Sequence, residues 1–166
     1  MKKAYQFTYE VYEQLSELSE QEQQLIQSAR QKAHHAYVPY SHFGVAAVGL
    51  LTNGEVVAST NQENASYPVG ICAERVLLST ISSLYPDVPL ETIAISYYNP
   101  QGGDDKPISP CGMCRQALLE QQTRTNKKVR LLLTGQTGVV IKIEDALDLL
   151  PLHFSATDLH LQEEQG

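Results

Sequence analysis

The chain has 166 residues, 42% of them hydrophobic and 19% charged, which suits one globular domain with a single core and leaves little room for a second. Nineteen acidic side chains against twelve Lys and Arg give a net charge of -7, whereas a protein that tracks a phosphate backbone needs a concentrated basic face, so no polynucleotide partner is expected. No apolar run approaches the roughly 20 residues that span a bilayer, and Met1-Lys2-Lys3 leads into Tyr5-Gln6-Phe7-Thr8-Tyr9-Glu10 rather than an apolar signal core, so no membrane partner and a cytoplasmic location are expected.

Phe7, Tyr9 and Val11 alternate with polar residues and predict a short strand. Ser19, with Glu22 three residues on, signals the start of a helix running towards Ala36, with Leu25, Ile26 and Ala29 as its buried stripe. Tyr37 to Ser41 contains Pro39 and reads as a loop. Phe43 to Leu51 and Glu55 to Ser59 then flank Thr52-Asn53-Gly54, where Asn-Gly marks a hairpin. Val76, Leu77, Ile81 and Leu84 have helical spacing, and Pro86 and Pro89 end that helix before an apolar strand at Thr92 to Tyr97. Asn99 to Pro110, with three prolines and two glycines, is predicted to be irregular. A helix from Gly112 to about Gln122 precedes strands at Val129 to Thr134 and Val139 to Ile143, and Glu144 and Asp145 open a short last helix. Helices alternating with five apolar strands imply an α/β fold, a three-layer α-β-α sandwich around a central five-stranded mixed sheet. Residues 1-18 read as an N-terminal extension to a domain spanning 19-166, and there is no internal repeat.

Three cysteines cannot all pair internally, and a reducing compartment favours metal or redox roles for them. Cys72 falls at the predicted start of one helix, and Cys111 and Cys114, spaced C-x-x-C after Pro110, at the start of another. Helix N-termini carry partial positive charge and unpaired N-H groups, so thiols placed there ionise readily and can bind zinc as thiolates. Three protein ligands leave one position for water, the arrangement of a catalytic rather than a structural site. The plainer readings are a redox pair, small buried apolar cysteines, or a structural zinc closed by His34, His35, His42, His153 or His160, none of which lies at ligand spacing from a cysteine.

The flanking residues are more specific. Cys72-Ala73-Glu74-Arg75 sets a carboxylate two residues after one thiol, and Ser109-Pro110-Cys111-Gly112-Met113-Cys114-Arg115-Gln116 contains the second half of a zinc-deaminase signature. On these motifs the chain resembles the cytidine deaminase family, specifically the small homotetrameric branch of the cytidine/deoxycytidylate deaminase superfamily that uses three cysteines. Tyr37-Val38-Pro39-Tyr40-Ser41-His42-Phe43, Asn61-Gln62-Glu63-Asn64-Ala65-Ser66-Tyr67-Pro68, and Leu149-Leu150-Pro151 with Phe154 and Asp158-Leu159 look like that family's blocks, in the expected order over most of residues 25-160.

The resemblance implies one Zn2+ per subunit on Cys72, Cys111 and Cys114. It also implies a zinc-bound hydroxide that attacks C4 of cytosine, converting cytidine and deoxycytidine to uridine and deoxyuridine plus ammonia in pyrimidine salvage. Glu74 would take the water proton, deliver it to ring N3 and help protonate the amine; without Cys72 beside it, it would read as an ordinary first-turn acid. Three thiolates on a dication sum to about -1, which weakens a Lewis acid. Two helix N-termini and Arg75, which matches the residue that hydrogen-bonds ligand sulfurs in this branch, would offset the excess, although a surface helix Arg is the plainer reading. Asn61 and Glu63, two apart after a strand, would point the same way and, by the resemblance, bind the ribose 3'-hydroxyl. Phe43 resembles the ring that packs on the pyrimidine, with core packing as the alternative. The Ala73 N-H and the Ser109 carbonyl match the contacts to O2 and the amino group. Phe154 matches the ring that reaches a neighbouring active site, so a homotetramer acting on a free pyrimidine nucleoside is implied, and Tyr67 is a further candidate subunit contact. The chain departs from the family at Ala46, where Gly is common, in the long 99-110 loop and in residues 1-18. A deaminase of a blasticidin-type nucleoside and a non-catalytic zinc module are the competing readings.

Overall fold

Ser19 caps the first helix as its spacing predicts. Its hydroxyl accepts from the Glu22 N-H, and the Glu22 carboxylate accepts from the Ser19 N-H and hydroxyl. The helix, α1, covers Glu20–Ala33 and stops short of Ala36; Gly44 packs against its end so tightly that any Cβ there would strike the Ala33 carbonyl. The computed structural model describes residues 1-159. Beyond α1 it contains β2 (Gly44–Leu51), β3 (Val56–Thr60), α2 (Ala73–Leu84), β4 (Leu90–Tyr98), α3 (Gly112–Thr125), β5 (Arg130–Thr134) and β6 (Val140–Ile143), preceded by β1 (Glu10–Tyr12). The β2-β3 hairpin turns at Gly54, whose φ of 87° is the left-handed conformation that Asn-Gly signals. α3 runs to Thr125, three residues beyond the expected Gln122, and Asn126 ends it in the left-handed conformation. The short helix expected after Glu144 is a 3-10 turn at Ala146–Leu149, opened by the Asp145 carboxylate accepting from the Leu147 N-H. Asn99 to Pro110 holds no regular structure.

The strands form one mixed sheet in the order β1-β6-β5-β4-β2-β3, with β4 and β5 parallel and every other neighbouring pair antiparallel. The expected count of five strands is therefore corrected to six. The N-terminal strand lies at Glu10–Tyr12 rather than Phe7 to Val11, and joins the sheet on the edge that β6 would otherwise leave open. Side chains alternate across the sheet, so Ile93, Ile95, Leu131 and Leu133 face α2 and α3, while Ala94, Leu132, Val48 and Val140 face α1. This is the three-layer sandwich that the alternation of elements predicts. Ala46 is fully buried between its partners Thr60 and Ser96; the close approach that requires glycine falls at Gly44 instead.

An ion-pair network ties α1 to β6. Lys142 Nζ lies 3.1 Å from the buried Glu22 carboxylate and 3.4 Å from Glu144. Burial works to raise the Glu22 carboxyl, but bonds from Ser19 and Lys142 outweigh it and hold it below its ordinary value. A depressed carboxyl contributes stability that is present above its unfolded pKa and lost as pH falls through the folded one. Lys142→Met, which keeps the apolar stem, should therefore cost about 1–2 kcal/mol at neutral pH. The gap to the parent should close on acidification. Denaturant melts at neutral and acidic pH check this, and a gap independent of pH would contradict it.

Candidate active site

Cys72 and Cys111 occupy the positions where a helix normally carries Ser, Thr or Asp: each is the N-cap of its helix, α2 and α3 respectively. Cys114 follows in the first turn of α3 and is fully buried. The three sulfurs lie within 4.8 Å of one another. Cys72 and Cys111 are 3.8 Å apart and Cys111 and Cys114 3.4 Å, far beyond a disulfide bond. Zn-S bonds of about 2.3 Å at tetrahedral angles place sulfurs about 3.8 Å apart, so the spacing and softness of this donor set fit zinc. None of His34, His35, His42 or His153 joins the cluster among the described residues, and His160 lies outside them.

Thiols this close compete for ionisation. Burial works against a thiolate at Cys111, yet the Cys114 and Met113 N-H groups at the start of α3 and the neighbouring sulfurs overcome it and lower that thiol. Burial raises Cys72 and Cys114, with the adjacent sulfurs and Glu74 adding repulsion. A dication among them favours the ionised form of all three. Glu74, in the first turn of α2, is 5% exposed. Burial pushes its carboxyl up, partly offset by its own backbone N-H and by Cys114. A carboxyl so placed holds a proton more readily than an exposed one and is suited to proton exchange.

One side-chain and one backbone link tie the segment that carries Asn61 and Glu63 to this cluster. Ser59 at the end of β3 donates to the Ala73 carbonyl at 2.7 Å, and Gln62 bridges to Ile71, the residue before Cys72. Between these links, Asn61 braces the start of β2: its Nδ2 donates to the Phe43 carbonyl at 3.0 Å and its Oδ1 accepts from the Val45 N-H at 2.8 Å. One amide hydrogen and one lone pair remain for other partners. The Glu63 carboxylate accepts from the N-H groups of Tyr40 and Ser41, and these contacts with Ser41 foremost hold it below its ordinary value. Glu63 lines a cavity of about 380 Å³ with Tyr40, Ser41, Asn64, Tyr67 and Gly70; the cysteines are not part of that wall. Ala73 is the first residue of α2, where an N-H has no intrahelical acceptor.

Phe43 stacks on Tyr97, ring centroids 5.0 Å apart at 19°, a neighbour that strand periodicity could not reveal. Ser109 is exposed two residues before Cys111. Phe154 is exposed, its carbonyl accepting from Gln116 Nε2 on α3. Arg75 makes no side-chain hydrogen bond to a sulfur among the described residues; it lines the groove between α2 and α3 with Arg124 and Glu120, as the plainer reading of a helix-surface Arg allowed. The arginine that does brace the cluster's surroundings is Arg115, whose Nε donates to the Pro110 carbonyl at 2.9 Å and Nη1 to the Leu149 carbonyl at 2.8 Å. Its only sequence signal was adjacency to Cys114.

Fold and site together define a three-thiol metal-binding α/β sandwich with a buried acid beside the sulfurs. Residues 19–129 match the family described as cytidine and deoxycytidylate deaminase zinc-binding region. The chain is 36% identical over 138 residues to a cytidine deaminase of Halalkalibacterium halodurans, covering 83% of this chain and 97% of that protein. It is 32% identical over 143 residues to one of Sporosarcina psychrophila, covering 86% and 98%. A crystal structure of cytidine deaminase from Burkholderia pseudomallei superimposes with a TM-score of 0.67 at 33% identity, over 82% of this chain and all of that one. The chain belongs to the cytidine and deoxycytidylate deaminase family.

Proposed function

We propose that the protein hydrolyses free cytidine and deoxycytidine to uridine and deoxyuridine with release of ammonia. The observation that carries this reading is Glu74, a buried carboxyl placed two residues after one of three converging thiols. Cys72, Cys111 and Cys114 would hold one zinc ion, which when bound supplies Lewis acidity and brings the pKa of water down to about 7. Glu74 takes a proton from the attacking water and passes it to ring N3 as the C4-O bond forms, then moves the remaining proton of the added hydroxyl to the amine, so that the C4-N bond breaks with loss of ammonia and C4=O is left. Phe43, set by its stack on Tyr97, packs on the pyrimidine. The Ala73 N-H donates to O2, and the Ser109 carbonyl accepts from the amino group. Asn61 uses its remaining amide valences, and Glu63 its carboxylate, on the ribose 3'-hydroxyl.

Arg75, turned to the α2-α3 groove, would add positive charge near the thiolates without bonding a sulfur, and Phe154, exposed on one subunit, would reach a neighbour's pocket in a homotetramer. Residues 19-166 form the deaminase domain and 1-18 an extension, acting in pyrimidine salvage in the cytoplasm. The test is loss of the cytidine absorbance band on adding zinc-loaded protein, abolished by a chelator strong enough to strip the metal and restored by zinc. A zinc-loaded protein that leaves cytidine and deoxycytidine unchanged, or that prefers a blasticidin-type nucleoside, refutes the proposal.

A further inference from the structure

The segment before β1 lies outside the matched family region, yet two of its partly exposed rings line a hollow with Ser109, two residues before Cys111. Tyr5 Oη donates to the Asp148 carboxylate at 3.1 Å, anchoring the segment to the 3-10 turn after β6. Tyr5, Phe7 and Tyr9 form a ladder of tilted rings with centroids 6.4 and 6.2 Å apart. The alternation continues to Val11, which pairs with Ile141 in β6. Phe7 and Tyr9 line an apolar hollow of about 120 Å³ with Ser109, Leu133, Ile141 and Leu149. Arg115 closes the circuit by holding the carbonyls of both Pro110 and Leu149. Ser109 itself makes no side-chain hydrogen bond among the described residues, so it depends on its neighbours for placement.

From this arrangement we infer that residues Tyr5 to Tyr9 are a positioning strap for the Ser109–Cys111 segment, and that Phe7 and Tyr9 set how the Ser109 carbonyl meets the substrate's amino group. The inference rests on the proposed role of Ser109. A carbonyl that accepts from the amino group in both ground and transition states contributes uniform binding, so its displacement appears in KM. The sulfurs keep their helix positions without the strap, so metal content is unaffected.

The test compares the zinc-loaded full chain with Phe7→Ala/Tyr9→Ala and with Phe7→Leu/Tyr9→Phe. The alanine pair should raise KM for cytidine about fivefold with kcat within about twofold, and relax discrimination against N4-methylcytidine. Hydrogen exchange of the Ile108, Ser109 and Cys111 amides should quicken, zinc content should be unchanged, and the conservative pair should restore all three properties. Unchanged KM and exchange in the alanine pair would overturn the inference, as would a lower native mass, which would make the ring ladder a subunit contact. Failure of the parent protein to act on cytidine refutes the proposed function instead; the exchange measurement then still decides whether the strap holds the segment.

Discussion

Glu74→Gln is expected to retain zinc and lower cytidine turnover by about 10³–10⁴-fold, the upper part of the range for general acid-base catalysis, because one carboxyl serves several successive proton transfers. Gln has the shape of Glu but can neither take the water proton nor return it. At 5% exposure the side chain is nearly sealed from solvent, so bulk water is a poor substitute. The carboxyl is not one of the three sulfur donors, hence metal content should survive. Stability should not fall: burial raises the pKa of this group, so the charged form costs the folded state free energy that a neutral amide avoids. Turnover, elemental zinc and melting temperature measured on one preparation separate the outcomes. A variant that stays active removes Glu74 from the mechanism, and one that loses its metal assigns Glu74 to ligation.

What the sequence disclosed follows the range over which each signal acts. Ser19 with Glu22, Asn53-Gly54 and the cysteines just before α2 and α3 are local signals, set by capping and turn chemistry within a few residues, and each was placed correctly. The N-terminal strand is legible from its alternation but not as a member of the sheet, because its partner Val140–Ile143 lies more than a hundred residues away and local alternation does not name a partner that distant. In the site, the convergence of Cys72 with Cys111 is legible from their places at helix starts and from the motifs around them. The stack of Phe43 on Tyr97 and the bracing of β2 by Asn61 are not, since each joins residues that only the sheet register brings together. Arg75 and Arg115 make the same point: both lie next to a motif residue, and helix phase, which spacing within the motif does not supply, turns Arg75 to the α2-α3 groove and Arg115 to the loop carbonyls.

Cys114→Ala should abolish both metal binding and activity, and it tests the cluster at its most buried member. Two remaining thiols cannot complete a tight site, and Cys72 and Cys111 are more accessible to solvent competition. Alanine is the sharper choice because serine would leave a hydroxyl at a fully buried position, mixing a polar penalty with the loss of metal. A ligand at about a thousand times its Kd stabilises the folded state by about 4 kcal/mol, and a chain of this size shifts its Tm by about 2–4 °C per kcal/mol, so the variant should melt about 10 °C below the zinc-loaded parent. Chelator should lower the parent's Tm by a similar amount and leave the variant's unchanged. If the variant melts low but still holds zinc stoichiometrically, another side chain completes the site. If it loses zinc without any change in Tm, the ion is not coupled to the packing of α2 against α3, and the cluster organises chemistry without supporting the fold.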